Sequence, residues 1–153
     1  MINKNRVRIT KEFSFEMSHL LKNHLGGCNN IHGHSYKLFV TISGYPCNDT
    51  DSPQYGMLID FGELKKIVNK SIVDPLDHSL MVSEQSFKGA FLEQYKGKII
   101  VKPFEPTCEN LVCDFANKLS KELPNNVELY SIKLYETSTS YCEWYASDNE
   151  QNR

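Results

Sequence analysis

The sequence predicts an α+β fold in which an antiparallel β-sheet carries helices on one of its faces. Two observations support this prediction. Segments near both ends of the chain alternate apolar and polar side chains with a period of two, as half-buried strands do. Two segments between them repeat apolar side chains at helical spacing. The predicted order is therefore β-β-α-α-β-β, and the segment between the helices offers one further short strand.

The first two strands flank a polar loop. Residues 7–18 form the first predicted strand because their apolar side chains share one parity, which His19 continues just past its end. Glycine and asparagine pairs in residues 20–31 indicate a loop. A second strand follows, and its inner face is predicted to hold His32, His34, Tyr36, Leu38, Val40 and Ile42.

Capping residues and prolines set the limits of the two predicted helices. The first begins after Asp60, which forms a candidate capping box with Glu63, and Pro75 is expected to close it. The second opens after Pro106 and ends at Pro124. Its apolar stripe consists of Leu111, Val112, Phe115, Ala116, Leu119 and Leu123.

The remaining segments are assigned by the same patterns. Residues 82–98 are polar with isolated aromatics and are predicted to be irregular, whereas residues 98–102 are the candidate short strand. Residues 130–136 carry alternating side chains, and residues 141–146 are predicted to form the last strand. The tail over residues 147–153 is expected to fray.

Composition excludes several classes of function. The 153 residues are predicted to form a single domain, 1–153, with a core over about 7–146. A net charge of -2 with scattered lysines and arginines argues against a nucleic-acid partner. The chain lacks the roughly 18 consecutive apolar residues that would suggest a membrane span. Five irregularly spaced cysteines argue against a disulfide framework and favour a reducing, cytoplasmic setting.

Three of the five histidines form a candidate metal site. Alternate residues of a strand point the same way, so His32 and His34 share a face that His19 can reach from the neighbouring strand. A lone histidine is usually a surface residue or a polar group with a hydrogen-bond partner. Here that explanation would have to hold for three histidines that share one face. Three imidazoles with one open position are typical of catalytic zinc, so we predict Zn²⁺ on His19, His32 and His34.

Cys28 lies in the polar loop beside this predicted cation, a setting that lowers the pKa of a thiol and makes it a base or nucleophile. The alternative is a fourth zinc ligand, which would close the site. His24 breaks the pattern and is taken as a surface residue. The other four cysteines are taken as small packing residues: Cys47, Cys108, Cys113 and Cys142.

Asp77, His78 and Glu136 complete the candidate residues. A carboxylate beside a histidine supports the protonated ring, which can act as a general acid, although Asp77 and His78 could also merely end a helix. Glu136 has the parity of inward-facing side chains, and a buried carboxylate is costly unless it is paired. It either pairs with a cation or helix end, or binds a ligand with adjacent N–H donors.

These residues resemble the 6-pyruvoyl-tetrahydropterin synthase and 6-carboxy-tetrahydropterin synthase family. The family pattern is a histidine followed by Cys-x-x-x-His-Gly-His, which His19 and residues 28–34 match. Further blocks follow in family order at residues 58–65, 76–78, 106–111 and 136–140.

The resemblance implies a tunnelling fold, with a four-stranded antiparallel sheet and two helices on one side. It also implies a homohexamer, in which three subunits close a twelve-stranded barrel and two such trimers stack. Active sites would then lie at subunit boundaries, where Asp77 and His78 of one chain reach Cys28 of another.

The resemblance further implies a small-molecule pterin substrate, 7,8-dihydroneopterin triphosphate. Cys28 would be the base, His78 supported by Asp77 the acid, and Glu136 the anchor of the pterin, with Thr107 nearby. The favoured product is 6-carboxy-5,6,7,8-tetrahydropterin, of the queuosine and deazapurine branch, formed with loss of acetaldehyde and triphosphate. The alternatives are a 6-pyruvoyl product, a non-enzymatic zinc or pterin-binding module, and a zinc hydrolase.

Overall fold

A computed structural model describes residues 5–88 and 90–149 of the chain. Within these residues, six strands form one sheet in the order β4-β3-β1-β2-β5-β6. The strands are β1 Val7–His19, β2 His32–Gly44, β3 Ser79–Ser83, β4 Ile99–Lys102, β5 Val127–Thr137 and β6 Ser140–Tyr145.

Two helical stretches pack on one face of this sheet. The first joins α1 (Phe61–Val68), a π-helical turn (Asn69–Val73) and α2 (Asp74–Leu76), and the second is α5 (Cys108–Glu122). Shorter helical pieces complete the described chain: a 3-10 turn at Gly27–Asn29, α3 at Glu84–Phe87, α4 at Ala90–Gln94 and α6 at Ala146–Asn149.

The antiparallel pairing of β1 and β2 brings their apolar faces together beneath the helices. The register places Phe15 opposite Tyr36 and His19 opposite His32. The rings of Phe15 and Tyr36 stack with centroids 5.1 Å apart, and Phe115 of α5 meets Phe15 edge-on at 6.3 Å. The predicted strand faces and the predicted stripe of the second helix are therefore confirmed.

The prediction of a four-stranded, purely antiparallel sheet is wrong. β1, β2, β5 and β6 do form the antiparallel part, but β3 and β4 extend the sheet beyond β1 with parallel pairing. All five residues of β3 are buried, so this strand has no alternation of polar and apolar side chains to reveal it. β4 confirms the predicted short strand.

The irregular excursion predicted over residues 82–98 is also wrong in part, because the segment contains the end of β3 and the helices α3 and α4. The helix predicted to close at Pro75 instead continues through the π-helical turn into α2. There the Asp74 N–H bonds to the Asn69 carbonyl. The wider turn accommodates Pro75, which has no N–H to donate. At the other end, the Asp60 carboxylate accepts from the Gly62 N–H, which confirms the predicted N-cap.

Within the described ranges, no helix is both long enough and apolar enough to span a bilayer. The predicted tail begins inside α6, which is a short helical turn rather than a frayed end. Residues 150–153 of that tail lie outside the described residues.

Candidate active site

Three imidazole rings meet where β1 ends and β2 begins. His19 pairs directly with His32, and His34 follows two residues later on the same face. The three ring centroids are 4.5, 4.9 and 5.1 Å apart. One candidate ligand atom from each ring lies within 4.8 Å of the others. The fold therefore brings together the three residues predicted to hold a metal.

Hydrogen bonds determine which nitrogen of two rings faces this cluster. The Nδ1 of His19 lies 2.7 Å from the Pro106 carbonyl oxygen, and the Nδ1 of His32 lies 2.8 Å from the Asn30 carbonyl oxygen. A carbonyl oxygen only accepts, so both Nδ1 atoms carry the hydrogen, and each neutral ring keeps a lone pair on Nε2. These two Nε2 atoms are 3.0 Å apart. Two facing lone pairs repel at that distance unless a cation or a proton lies between them.

His34 contributes a third unsatisfied nitrogen. Its Nε2 is buried and has no hydrogen-bond partner among the described residues, a state that is costly for a polar atom. Burial lowers the pKa of both His19 and His34, which favours the neutral rings that bind metals. The cluster therefore fits a metal ion, and an all-imidazole set of three suits zinc with one position left for a ligand.

Glu136 lies beside this cluster at the end of β5. Its Oε1 is 3.7 Å from the Nε2 atoms of both His19 and His34. The Tyr36 hydroxyl donates to the same oxygen at 3.4 Å. Burial raises the pKa of Tyr36, so its O–H remains a donor at neutral pH. The inward orientation predicted for Glu136 is confirmed: its carboxylate accepts from Tyr36 and faces the imidazole cluster.

Four predicted site residues share one cavity of about 400 Å³, named here the Cys28 cavity. The loop that carries Cys28 is closed by a 2.9 Å bond from the Leu21 N–H to the Cys28 carbonyl. The cavity lining consists of His19, Leu21, His24, Cys28, Thr107, Cys108, Glu109, Glu136, Ser140, Tyr141 and Cys142.

Two other thiols in this cavity are packing residues. The Cys108 thiol donates to the Leu134 carbonyl at 3.4 Å, and burial raises the pKa of Cys108 and of Cys142. Both stay protonated near neutral pH, so neither is a candidate base. Cys113 is exposed, contrary to its assignment as a packing residue.

Thr107, which lines the Cys28 cavity, also has a structural role. It is the N-cap of α5, and its Oγ1 accepts from the Asn110 N–H at 3.3 Å. Its own N–H donates to the Glu105 carbonyl at 2.8 Å. The hydroxyl hydrogen of Thr107 is still available to a ligand in the cavity.

Within the described residues, His78 and Cys28 line different cavities. The Nδ1 of His78 lies 2.9 Å from the Asp77 carboxylate, so the two adjacent side chains form a pair. His78 lines a different cavity of about 390 Å³, named here the His78 cavity, together with Glu16 and Lys98. In one chain the proposed acid and the proposed base are therefore separate.

Sequence reasoning missed two residues around the site. His24 was taken as a surface residue, and it is exposed, but it also lines the Cys28 cavity and accepts from the Gly26 N–H at 2.9 Å. The Glu105 carboxylate bonds to the Lys22 N–H and the Ser83 hydroxyl, and so joins the Cys28 loop to β3. Neither residue belongs to a periodic segment, so no pattern could have indicated its role.

Comparison with known proteins agrees with this geometry. A sequence profile of the family described as 6-pyruvoyl tetrahydropterin synthase matches residues 8–147. A 6-carboxy-5,6,7,8-tetrahydropterin synthase of Haemophilus influenzae is 40% identical over 141 residues, which cover 90% of this chain and 97% of that protein. The human 6-pyruvoyl tetrahydrobiopterin synthase is 29% identical over 147 residues, which cover 88% of each chain.

Solved structures share the fold. The Caenorhabditis elegans 6-pyruvoyl tetrahydropterin synthase superposes with a TM-score of 0.69 at 24% identity, over 95% of this chain and 99% of that one. An uncharacterized protein of Wolinella succinogenes gives the same TM-score of 0.69 at 22% identity, with 94% and 99% covered. Fold and site together define a pterin-synthase type of protein with a candidate metal centre. The chain belongs to the 6-pyruvoyl tetrahydropterin synthase family, a family of lyase-type enzymes.

Proposed function

We propose that this protein is a zinc-dependent 6-carboxy-5,6,7,8-tetrahydropterin synthase. The proposed reaction consumes 7,8-dihydroneopterin triphosphate and one water and releases the 6-carboxy product, acetaldehyde and triphosphate. The relative from Haemophilus influenzae and one from Rickettsia typhi, 33% identical over 141 residues, carry this name. The 6-pyruvoyl enzyme is the second candidate, because the human relative carries that name.

One observation carries the proposal. The Nε2 atoms of His19 and His32 face each other at 3.0 Å while both Nδ1 atoms are committed to carbonyl oxygens. The third nitrogen, on His34, is buried without a partner among the described residues. A zinc ion on these three nitrogens would satisfy all of them and leave room for a substrate oxygen.

Zinc, when bound, supplies Lewis acidity that makes hydroxyl groups of the substrate side chain, and the C–H bonds beside them, easier to deprotonate. Cys28 is proposed as the base that receives these protons, because it lines the same cavity as His19 and Glu136. A thiolate beside a cation is favoured over the thiol. Cys108 and Cys142, in the same wall, both have a raised pKa, so neither is proposed as the base.

Glu136 is proposed to anchor the pterin. A pterin presents adjacent N–H donors, and a carboxylate accepts two such donors side by side. The Tyr36 hydroxyl holds one carboxylate oxygen at 3.4 Å and so orients the group. Thr107, on the same cavity wall, can donate its hydroxyl hydrogen to an acceptor atom of the pterin.

The acid, His78 with Asp77, is proposed to come from a second copy of the chain, a proposal supported by the different cavities that His78 and Cys28 line within one chain. We therefore also propose a homohexamer with active sites at subunit boundaries. A reducing, cytoplasmic location is part of the proposal and is supported by the five free cysteines.

Identification of the product tests the function. Purified zinc-loaded protein is incubated with dihydroneopterin triphosphate, and the products are identified by mass spectrometry. A 6-carboxy product with an equal amount of acetaldehyde is expected. A 6-pyruvoyl product with no acetaldehyde would select the second candidate. Absence of turnover by protein that holds one zinc per chain would reject both and leave a zinc or pterin-binding module.

A further inference from the structure

The backbone at His78 adopts a conformation that histidine does not favour. Its φ is +57°, in the left-handed region, and it is the one described residue other than glycine with a positive φ. The position directly follows the C-cap of α2, where glycine is the usual residue. A side chain kept at such a position requires neighbouring contacts that hold the backbone there.

The backbone of Glu16 supplies two of these contacts. Its N–H donates to the Asp77 Oδ1 at 2.9 Å, and its carbonyl accepts from the His78 N–H at 2.7 Å. The other oxygen of the Asp77 carboxylate lies 2.9 Å from the His78 ring. The strand β1 therefore fixes the pair from one side, through the main-chain atoms of Glu16.

Lys98 supplies further contacts to this turn. Its Nζ donates to the carbonyl oxygen of Asp74, the first residue of α2, at 2.8 Å and to that of Asp77, the C-cap of α2, at 2.9 Å. Lys98 precedes β4, its own carbonyl accepts from the Leu80 N–H at 2.9 Å, and its side chain lines the His78 cavity. It thus connects the outer strands β3 and β4 to the pair.

We infer that Lys98 is a positioning residue that holds the Asp77–His78 pair in its working orientation. The inference rests on the proposed function, which gives that pair its role as the acid. A lysine at a helix end can simply cap carbonyl groups. Here, however, one of its two acceptors belongs to Asp77 itself, next to the residue whose φ is +57°. Loss of the ammonium group would leave the Asp77 carbonyl without this donor, and the turn would then be held by the two Glu16 bonds and the bond from the Asp77 N–H to the Val73 carbonyl.

Three variants of the full-length, zinc-loaded protein test this inference. Lys98→Met removes the donors, Lys98→Arg retains them, and Lys96→Met changes an exposed lysine two residues away as the matched control. We expect Lys98→Met to lower kcat by about tenfold to a hundredfold, as a misplaced proton donor does, with KM and zinc content unchanged. Lys98→Arg should restore most of kcat, and Lys96→Met should match the wild type.

A double variant distinguishes positioning from a general structural role. In a His78→Gln background, Lys98→Met should cause no further loss of kcat, because it acts through a ring that is no longer present. An equal loss in both backgrounds, or an unchanged kcat in Lys98→Met, would overturn the inference. If Lys98→Met does not fold, Lys98→Ala, which also removes the donors, takes its place in the same comparison.

Hydrogen exchange gives a readout that does not depend on turnover. The His78 amide is bonded to the Glu16 carbonyl, so its exchange reports whether the pair is held in place. Mass spectrometry of peptides over residues 76–80 should show exchange about tenfold faster in Lys98→Met than in Lys96→Met. Equal rates in the two variants would overturn the inference. A protein without turnover would reject the proposed function, and this exchange result would still decide whether Lys98 holds the pair.

Discussion

Two backbone carbonyl groups determine the chemistry of the imidazole cluster. Pro106 and Asn30 each accept from a ring Nδ1, and this choice of tautomer directs the Nε2 lone pairs of His19 and His32 toward each other. Similar carbonyl partners orient metal-bound histidines in other proteins and increase the basicity of the ligating nitrogen. The site is thus preorganised for a cation by groups outside the ligand set.

Substitution of Cys28 tests whether its thiol is the base of a catalytic zinc site or a fourth ligand that closes the site. Cys28→Ala should retain one zinc per chain and lose about 10²–10⁴-fold in kcat, the usual contribution of a positioned base. Cys113→Ala, which removes an exposed thiol outside the cavity, is the control and should match the wild type. Metal analysis and steady-state kinetics provide both readouts. Release of zinc by Cys28→Ala would show instead that the thiol is a ligand.

The buried histidines predict how the stability of the metal-free protein depends on pH. Burial lowers the pKa of His19 and His34 below the ordinary 6.5. As pH falls below about 6.5, these rings become protonated in the unfolded chain while they remain neutral in the folded one, which favours unfolding. The free energy of unfolding should therefore be lower at pH 5.5 than at pH 7.5.

Urea titration of the metal-free protein at the two pH values measures this effect. His19→Asn removes one of the two rings and should show a smaller difference between the two pH values. A stability of the wild type that stays constant or rises toward pH 5.5 would contradict the prediction.

At the scale of the elements, local patterns predicted those strands that have one solvated face. β1, and β2 as far as Ile42, alternate because the helices cover only one side of them. β3 is buried throughout, so its pattern could equally come from a short buried helix. The π-helical turn before Pro75 has no sequence pattern of its own. The sequence therefore could not predict that the helix continues through it.

The same limit applies to the candidate site. Strand parity predicted the convergence of three histidines and the inward orientation of Glu136. It could not predict that Thr107 and His24 line the wall of the Cys28 cavity, because that depends on how a helix start and a loop meet across the fold. It also gave no indication of Lys98, whose acceptors lie 21 and 24 residues away in the chain.

The start of α5 offers a test of one element. Thr107→Ala removes the oxygen that accepts from the Asn110 N–H and should lower the free energy of unfolding by about 1 kcal/mol. Thr107→Ser retains the hydroxyl and should cost much less. Urea titration of the two variants measures the difference. Equal losses would show that the threonine methyl group, rather than the cap, stabilises the helix.

At the scale of the whole molecule, the sheet has open edges. β6 is the last strand in the sheet order, and β1 pairs with β3 only over Met17–His19. Within the described residues, the outer edge of β1 before Glu16 and the outer edge of β6 therefore have no strand partner. Exposed edges of this kind favour pairing with another chain, which supports the proposed closure of a barrel by several copies.

Mixing impaired variants tests whether subunits share active sites. Cys28→Ala and His78→Gln should each keep only a small residual turnover alone, whereas co-assembled chains should recover up to about a quarter of wild-type turnover through random assortment. Native mass spectrometry should give a mass about six times the 17.6 kDa of one chain. A fully active monomer, or no recovery in verified mixed assemblies, would show that the base and acid come from the same chain.

The left-handed backbone at His78 implies that thermal stability and activity make opposite demands on this residue. Glycine would relax that turn at no steric cost, so a laboratory selection for heat resistance alone should drift toward His78→Gly. The selected variants would be more stable proteins that lack the proposed acid. Ancestral or thermostabilised versions of this enzyme should therefore be screened for turnover as well as for melting temperature.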